Sequence, residues 1–490
     1  MAWLELSVIA LYALFLVFIF VYSLSQLDIL LKFKKAKKTA QDAPFNADLK
    51  SKVTVQLPVF NEKYVIERLI NAVCDFDYPK DQLQIQVLDD STDETKDLIE
   101  KIVAQKKVEG FKIEHIHRTN RDGFKAGALR DAMPLVKGEF IAIFDADFIP
   151  PKDFMQKTVG YFINPKVGVV QTPCRHLNHD YSMLTSLQAF GLNAHFSVEQ
   201  KGRNAGGHFI NFNGTGGIWR KTCIDDAGGW SPSTLTEDLD LSYRAQLKGW
   251  QFLFVDSIGS PAELPANMKA LRTQQFRWTK GAAECARKNL GKVLKSNLPV
   301  STKFHATFHL LNSFIFVCVA ATAILSVPVM WLKPNWPQLQ PLFLIGGLFI
   351  FSFLLLGIYY WNAAKENAAF NPQHQKRFLA YFPLFLSFTM GLSIHNGIGV
   401  IEGYLGKKSP FLRTPKFNIV SKRDTWKGKG YQTAKLSPVS FIEGLLSLYF
   451  LFALFLAFYL KYFGLFPVHL MLFLGFGAIF TYSLLHAQDQ

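Results

Sequence analysis

Two carboxylates one residue apart, Asp145 and Asp147, interrupt the apolar run Ile141-Ala142-Ile143-Phe144-Asp145-Ala146-Asp147-Phe148-Ile149-Pro150, which Pro151 closes. A run of β-formers this short, stopped by prolines, predicts a buried strand of an α/β sheet, and such sheets take ligands at the carboxyl edge of their strands. Side chains at i and i+2 of a strand share a face about 7 Å apart, so a chain turning there aims both carboxylates at one small hard cation. Magnesium takes few protein carboxylates and completes its shell with water and phosphate oxygens. An isolated Asp-x-Asp therefore suits a metal–diphosphate complex, with Mg²⁺ or Mn²⁺ as the ion. Alone, the pair is equally a solvated acidic strand end, so its companions decide.

Four further islands accompany it in order: Asp89-Asp90-Ser91-Thr92-Asp93, Arg121-Asp122-Gly123-Phe124-Lys125-Ala126-Gly127, Thr236-Glu237-Asp238, and Gln274-Gln275-Phe276-Arg277-Trp278. With them the chain resembles the membrane-embedded family-2 glycosyltransferases of GT-A fold, which include cellulose, chitin and hyaluronan synthases. Within that group it is most similar to the plant cellulose synthase-like A and C proteins, which make mannan and β-1,4-glucan backbones. Gln84–Asp93 (QIQVLDDSTD), Asn213–Arg220 (NGTGGIWR) and Leu235–Trp250 (LTEDLDLSYRAQLKGW) carry that finer likeness. It runs from about Val53 to about Arg287 and more loosely through the apolar remainder.

The resemblance implies a role for each island. Asp89 and Asp90 fall on the nucleotide, with Ser91–Asp93 left to cap the helix that follows. Lys125 offers a point charge to the diphosphate; without the resemblance it reads as a solvated lysine. Asp238, at the start of a helix with Leu239, Tyr243 and Leu247 on one face, is the candidate general base, its competitor being a helix-end acid that complements the dipole. The implied reaction inverts, so no covalent nucleophile is needed, and the departing diphosphate is stabilised by the metal and Arg277. Gln274 and Arg277 share a helix face at i and i+3, one for an acceptor hydroxyl and one for a phosphate, while Trp278 offers a flat plate to a sugar ring. An interfacial helix with its bases on headgroups reads the same way, and both hold together. Asn213 and Glu237 join the acceptor site by the same resemblance. Phe411-Leu412-Arg413-Thr414-Pro415-Lys416 is similar to the Phe-x-Val-Thr-x-Lys gating loop of cellulose synthase, which places Thr414 and Lys416 over the diphosphate. Arg413 in place of Val, and Pro415, depart from that pattern and leave gating and anchoring both open.

The elements that must position these residues follow from periodicity. Val53–Val59 is predicted as a first strand and the spacing Val65, Ile66, Leu69, Ile70, Val73 as a helix. Strand Leu83–Leu88, helix Glu94–Val103, strand Ile113–His117 and helix Ala126–Met133 continue a βαβ rhythm toward the central strand. A mostly parallel sheet with ligand at its strand tips is expected.

With 490 residues, 49% of them hydrophobic, and 46 Phe, the chain is too apolar at its ends for one soluble domain. Leu4–Leu31 is followed by Lys32, Lys34, Lys35, Lys37 and Lys38, the pattern of a retained spanning helix with its positive flank in the cytoplasm. Beyond Lys303 come the apolar blocks His305–Leu332, Pro341–Trp361, Phe378–Val400, Ser437–Leu460 and Phe463–Leu485. The basic connection Gly406–Leu436 and the stretch Ala363–Arg377 are both placed inside, so Phe378–Val400 is expected to dip and return or lie in the interface. Three regions result: an N-terminal transmembrane helix and basic collar over 1–38, a GT-A domain with interfacial helices over 39–300, and a transmembrane region over 301–490 with a cytoplasmic gating-like loop at 406–437. The net charge of +15 clusters beside apolar segments, which points to lipid headgroups and not to nucleic acid. The five Cys form no Cys-x-x-Cys pair, and His176, His179 and His208 fit no zinc spacing.

The reading is an inverting, processive hexosyltransferase of a bacterial inner membrane or Golgi-like membrane. It takes a nucleoside-diphosphate sugar, UDP-glucose or GDP-mannose, and extends a β-1,4-linked polysaccharide that leaves through the helices. Its rivals are a lipid glycosyltransferase adding one sugar to ceramide or diacylglycerol, and a non-catalytic membrane scaffold.

Overall fold

Alternating apolar strands and amphipathic helices form the first half of the chain in a computed structural model, which describes residues 2–39, 44–339, 346–366, 372–429 and 436–488. Strands β1 (Val53–Val59), β2 (Leu83–Asp89), β3 (Lys112–His117) and β4 (Phe140–Ile143) are joined through helices α2 (Ile66–Cys74), α3 (Thr95–Val108) and α4 (Phe124–Ala132), after an N-terminal helix α1 (Ala2–Thr39). β5 (Val167–Gln171), β6 (Cys174–His176), β7 (Gly217–Arg220), β8 (Gln251–Phe254) and β9 (Ser260–Ala262) follow. The main sheet runs β3-β2-β1-β4-β7-β5-β8, and β6 pairs with β9 in a small second sheet. β3, β2, β1 and β4 are mutually parallel, whereas β7 lies antiparallel between β4 and β5. This is the GT-A arrangement. The all-buried pattern of β2 and β4 reflects helices on both faces, as parallel sheets require.

The parallel strands deliver Val59, Asp89, His117 and Ile143 to one carboxyl edge. Here the structure corrects one expectation. β4 ends at Ile143, and Phe144 donates to Gln56 O as the chain leaves the ladder. Asp145 and Asp147 therefore sit in a turn, closed by Phe148 N on Asp145 O at 3.0 Å, and not at i and i+2 of a strand. The apolar run continues past the ladder because Phe144 and Phe148 are buried in the core under the turn, each worth about 1.5–3 kcal/mol of transfer free energy.

The remaining helices are α5 (Phe154–Thr158), α6 (Met183–Ala194), α7 (Gln200–Ala205), α8 (Lys221–Asp226), α9 (Glu237–Leu247), α10 (Met268–Lys295), α11 (Val300–Leu310), α12 (Phe314–Leu332), α13 (Gly346–Glu366), α14 (Pro372–Lys376), α15 (Phe378–Gly391), α16 (Ser393–Leu405), α17 (Pro438–Tyr459) and α18 (Phe466–Gln488). Among the described residues, Trp3–Ala36, Phe314–Asn335, Pro438–Tyr459 and Phe466–Ala487 are long and apolar enough to cross a bilayer, and this is a membrane protein. α1, at about 57 Å, outreaches the hydrocarbon core. The block His305–Leu332 is not one helix. It breaks at Leu311–Ser313, where the polar pair Asn312-Ser313 separates α11 from α12. Phe378–Val400 is likewise broken, α15 and α16 meeting at Leu392 with a 50° bend. The start of Pro341–Trp361, residues 367–371 of Ala363–Arg377, residues 40–43 of the linker and the end of the basic connection with Lys435 lie outside the described residues.

α10 joins the two halves. Arg272 near its start ion-pairs with Glu443 of α17 and donates to Ser483 Oγ of α18 at 3.1 Å, while its carbonyl meets His395 Nε2 of α16 at 3.0 Å. One turn past the motif, Lys280 pairs with Glu402 of α16 at 3.2 Å. Gly403 of α16 lies so close that a Cβ there would stand 2.6 Å from Lys280 O.

Candidate active site

The end of β1, the residues just after β2 and β4, and the N-terminal parts of α4, α9 and α10 open into one cavity of about 740 Å³. It is lined by Asp90, Lys125, Asp145, Asp147, Asn213, Glu237, Asp238, Gln274, Arg277, Trp278, Thr414 and Lys416. The residues singled out from the sequence thus converge, with one exception. Asp89 is fully buried and does not line the cavity: its Oδ2 takes His115 Nε2 at 2.9 Å and His117 Nδ1 at 3.0 Å, and its Oδ1 takes Ser91 N at 2.8 Å. Burial opposes its charge, but these hydrogen bonds hold its pKa down, to about 2. It orders the tip of β2 from behind, and of the two only Asp90 lines the cavity. There Arg118 forks onto both carboxylate oxygens, at 2.8 and 2.6 Å, so the acceptor edge is rigidly presented. Ser91 likewise does not cap α3; its hydroxyl takes Asn61 N, and Asp93 Oδ1 takes Thr95 N.

Each Asp of the turn carries an ammonium. Lys125 Nζ lies 2.5 Å from Asp145 Oδ1, and Lys416 Nζ lies 2.7 Å from Asp147 Oδ2. Burial alone would lower both lysine pKa values; the facing carboxylates outweigh it and raise them. Two hard oxygen donors that already hold cations fit a divalent ion, and Asp145 and Asp147 are the residues that would bind it. Such an ion supplies charge neutralisation to a diphosphate leaving group. Among the described residues His176, His179 and His208 do not come together as one ligand set; His208 lies with Asp28 and His305, their side-chain ligand atoms within 4.8 Å of one another and the two rings stacked with centroids 4.0 Å apart.

Asp238 opens α9 in its first turn, with Leu239 N on its Oδ1 at 2.9 Å. Burial and the neighbouring Glu237 carboxylate raise its pKa to about 7 against the pull of Lys125. A carboxyl poised there accepts a proton near neutral pH. Gly214, with φ +77°, lets the chain pass beside it: a Cβ on Gly214 would stand 3.1 Å from Asp238 Oδ2, and its carbonyl takes Lys125 Nζ at 2.9 Å. Glu237 Oε1 lies 3.9 Å from the same ammonium.

α10 contributes Gln274, Arg277 and Trp278, the last half-exposed toward the cavity. Arg277 stacks on the Phe411 ring at 4.5 Å and reaches Leu412 O at 3.5 Å. The Phe411–Lys416 segment is therefore seated in the site. Arg413 pairs with Glu62 at 3.0 Å, Lys416 also donates to Glu263 O at 2.7 Å, and Phe417 N donates to Glu263 Oε1 at 2.8 Å. Burial pushes Glu62 up to about 8 in spite of Arg413. Thr414 is buried at the cavity wall. The departure at Arg413 is thus explained, since its guanidinium anchors the segment on Glu62. Sequence reading missed Glu62, Arg118 and Glu263. Arg118, three residues before the Arg121 island, carried a signal by position; Glu263 carried none, because its partners lie about 150 residues away.

The cavity does not stop at the chemistry. It continues past His195, Asn312 and Asn396 to Phe316, Tyr359, Tyr360, Phe385 and Phe388 between the apolar helices.

A family model described as "Glycosyltransferase like family 2" matches residues 51–281. The chain is 45% identical over 273 residues to "Probable glucomannan 4-beta-mannosyltransferase 4" of Oryza sativa subsp. japonica, covering 54% of this chain and 49% of that one. It is 36% identical over 394 residues to "Glucomannan 4-beta-mannosyltransferase 9" of Arabidopsis thaliana, covering 76% and 69%. The chain thus spans about half the length of the first relative and just over two thirds of the second. The solved mannosyltransferase PcManGT from Pyrobaculum calidifontis, in complex with GDP-Man and Mn²⁺, shares the fold at a TM-score of 0.52 and 18% identity, over 73% of this chain and 98% of that one.

Proposed function

The chain belongs to the membrane-embedded family-2 glycosyltransferases, and from that premise we propose that it transfers mannose from GDP-mannose to a growing β-1,4-linked mannan or glucomannan chain. The observation that carries this reading is the continuity of one cavity from Asp145, Asp147 and Asp238 to aromatic side chains between apolar helices. A polymer needs such a path, since sugar rings stack on aromatic faces while their hydroxyls find polar groups. Mannose, and not glucose, is favoured by the activity in the relatives' names.

Asp90 holds the nucleoside, and Lys125 and Arg277 face the diphosphate. Asp145 and Asp147 would hold a divalent ion there, Mg²⁺ or Mn²⁺, to neutralise the diphosphate. Asp238 takes the proton of the acceptor hydroxyl as its oxygen attacks the anomeric carbon and the nucleoside diphosphate departs from the opposite face. Gln274, Glu237 and Asn213 orient the acceptor, and Trp278 stacks on its ring. Thr414 and Lys416 bear on the diphosphate, so Lys416 trades Asp147 for phosphate when substrate enters. The lysines after Leu31 and in the 406–437 connection put the catalytic domain on the cytoplasmic side, and the product leaves through the helices.

Purified protein in detergent, given radiolabelled GDP-mannose or UDP-glucose, is expected to build a polymer from GDP-mannose that endo-β-1,4-mannanase degrades. A product that partitions wholly into organic solvent as a single-sugar lipid, or incorporation from UDP-glucose alone, would overturn this reading.

A further inference from the structure

Two amide donors and a histidine ring nitrogen converge on the side-chain oxygen of Asn213. Two of the three come from one irregular helix: α6 widens into a π-turn over His195–Glu199 before continuing as α7. Such wide turns insert a residue into the helix and concentrate at functional sites. This one places His195 Nδ1 2.9 Å from Glu199 Oε2 and His195 Nε2 3.1 Å from Asn213 Oδ1. Gln200 Nε2 at 3.3 Å and Asn211 Nδ2 at 2.8 Å address the same oxygen. Turning the amide over would set its NH₂ against the Gln200 and Asn211 NH₂ groups, which are themselves held by Asn211 O at 3.2 Å and Phe212 O at 3.4 Å, so its orientation is fixed. The consequence falls on the other end of the group: Asn213 Nδ2 is buried with no hydrogen-bond partner among the described residues, in a side chain that lines the cavity. A buried donor left unpaired is costly, and a ligand oxygen placed there relieves that cost.

The charge state agrees with this geometry. Burial opposes a proton on His195, yet Glu199 and the Asn213 oxygen outweigh it and raise the ring's pKa. Glu199 is held in turn by Arg203 Nε at 3.0 Å. The unpaired donor also lies beside the base, because the next residue, Gly214, abuts Asp238.

We propose that Asn213 Nδ2 donates a hydrogen bond to a hydroxyl oxygen on the terminal sugar of the acceptor, and that His195, held by Glu199, is the positioning residue that keeps this donor available. The assignment rests on the transfer reading above, narrows the acceptor role given there to Asn213 to one atom, and adds His195 and Glu199, which no motif marks.

The test is steady-state kinetics of the full chain in detergent, with GDP-mannose or UDP-glucose as donor and a β-1,4-linked mannose tetramer as acceptor. Asn213→Asp, of equal size but without the donor, is expected to raise the KM for the tetramer about tenfold while the KM for the sugar nucleotide stays within twofold, the scale of one lost hydrogen bond. Should Asn213→Asp not fold, Asn213→Ser carries the same expectation. His195→Ala is expected to raise the tetramer KM severalfold, and His195→Gln, which keeps a donor of similar reach, to restore most of it. His195→Ala is expected to add nothing in an Asn213→Ser background, because both act through one amide. A tetramer KM unchanged in the Asn213 variants, or both KM values rising together, would overturn the assignment while leaving transfer standing. A wild type that extends the tetramer from neither donor would overturn the transfer reading itself, and the assignment with it.

Discussion

Asp238 shares a small space with the Glu237 carboxylate and the Lys125 ammonium, and its raised pKa makes a pH prediction with a definite sign. As a base it works only when ionised, so kcat/KM is expected to fall as pH drops through about 7, with a unit slope, and to level above it. Asp238→Asn is expected to retain nucleotide binding and lose about 10²–10⁴-fold in rate, the span of a general base. Equal loss of binding and rate would return Asp238 to a structural role at the end of α9. Asp147 bears a different load, because its carboxylate is one of the two that would grip the metal. Asp147→Ala is expected to abolish transfer, chelation of the wild type to do the same, and Mn²⁺ binding followed by the electron paramagnetic resonance of the free ion to weaken in the variant. Full activity after chelation would sink the metal role.

The docked Phe411–Lys416 segment shows most plainly what an element adds to its residues, since one ammonium on Asp147 and one guanidinium on Glu62 fix its place over the site. Because Lys416 and a divalent ion address the same carboxylate, Lys416→Ala is expected to tighten Mn²⁺ affinity severalfold, again read from the free-ion resonance; an unchanged affinity would mean the two do not compete. β1 and β2 could be read from the chain because their apolar runs coincide with their ladders, and Gln274, Arg277 and Trp278 because a helix repeats every few residues. The turn at Asp145 was not legible, since Phe144 and Phe148 keep the apolar pattern alive after the hydrogen bonds stop. Nor was the grip on Lys416, which joins residues 269 apart in the chain. The break at Leu392 was half legible: Gly391 and Gly397 marked a weak point, whereas its angle depends on how α15 packs on α18, with Gly391 pressed against Gly475. Periodicity reports a residue's neighbours along an element, and says little about which distant loop comes to rest on it.

Across the whole molecule, charge and cavity make two further predictions. A cysteine introduced at Lys427, in an otherwise cysteine-free chain, is expected to resist impermeant maleimide added outside intact cells and to react after permeabilisation; ready labelling from outside would reverse the topology. Trp278→Ala is expected to shorten the polymer while sugar-nucleotide hydrolysis continues, because the plate that keeps the product seated between additions is gone; product of unchanged length would move the seat elsewhere. α10 carries that plate, and the same helix is tied to α16, α17 and α18 by Arg272 and Lys280, with Gly403 against its backbone. In the proposed reaction, the residues that join the sugars and the helices their product would pass are therefore one solid piece. On that reading a product would be pushed past stationary walls by each new unit behind it, as a thread leaves a die, and the length of thread delivered would be set by the count of additions and by no stroke of the protein.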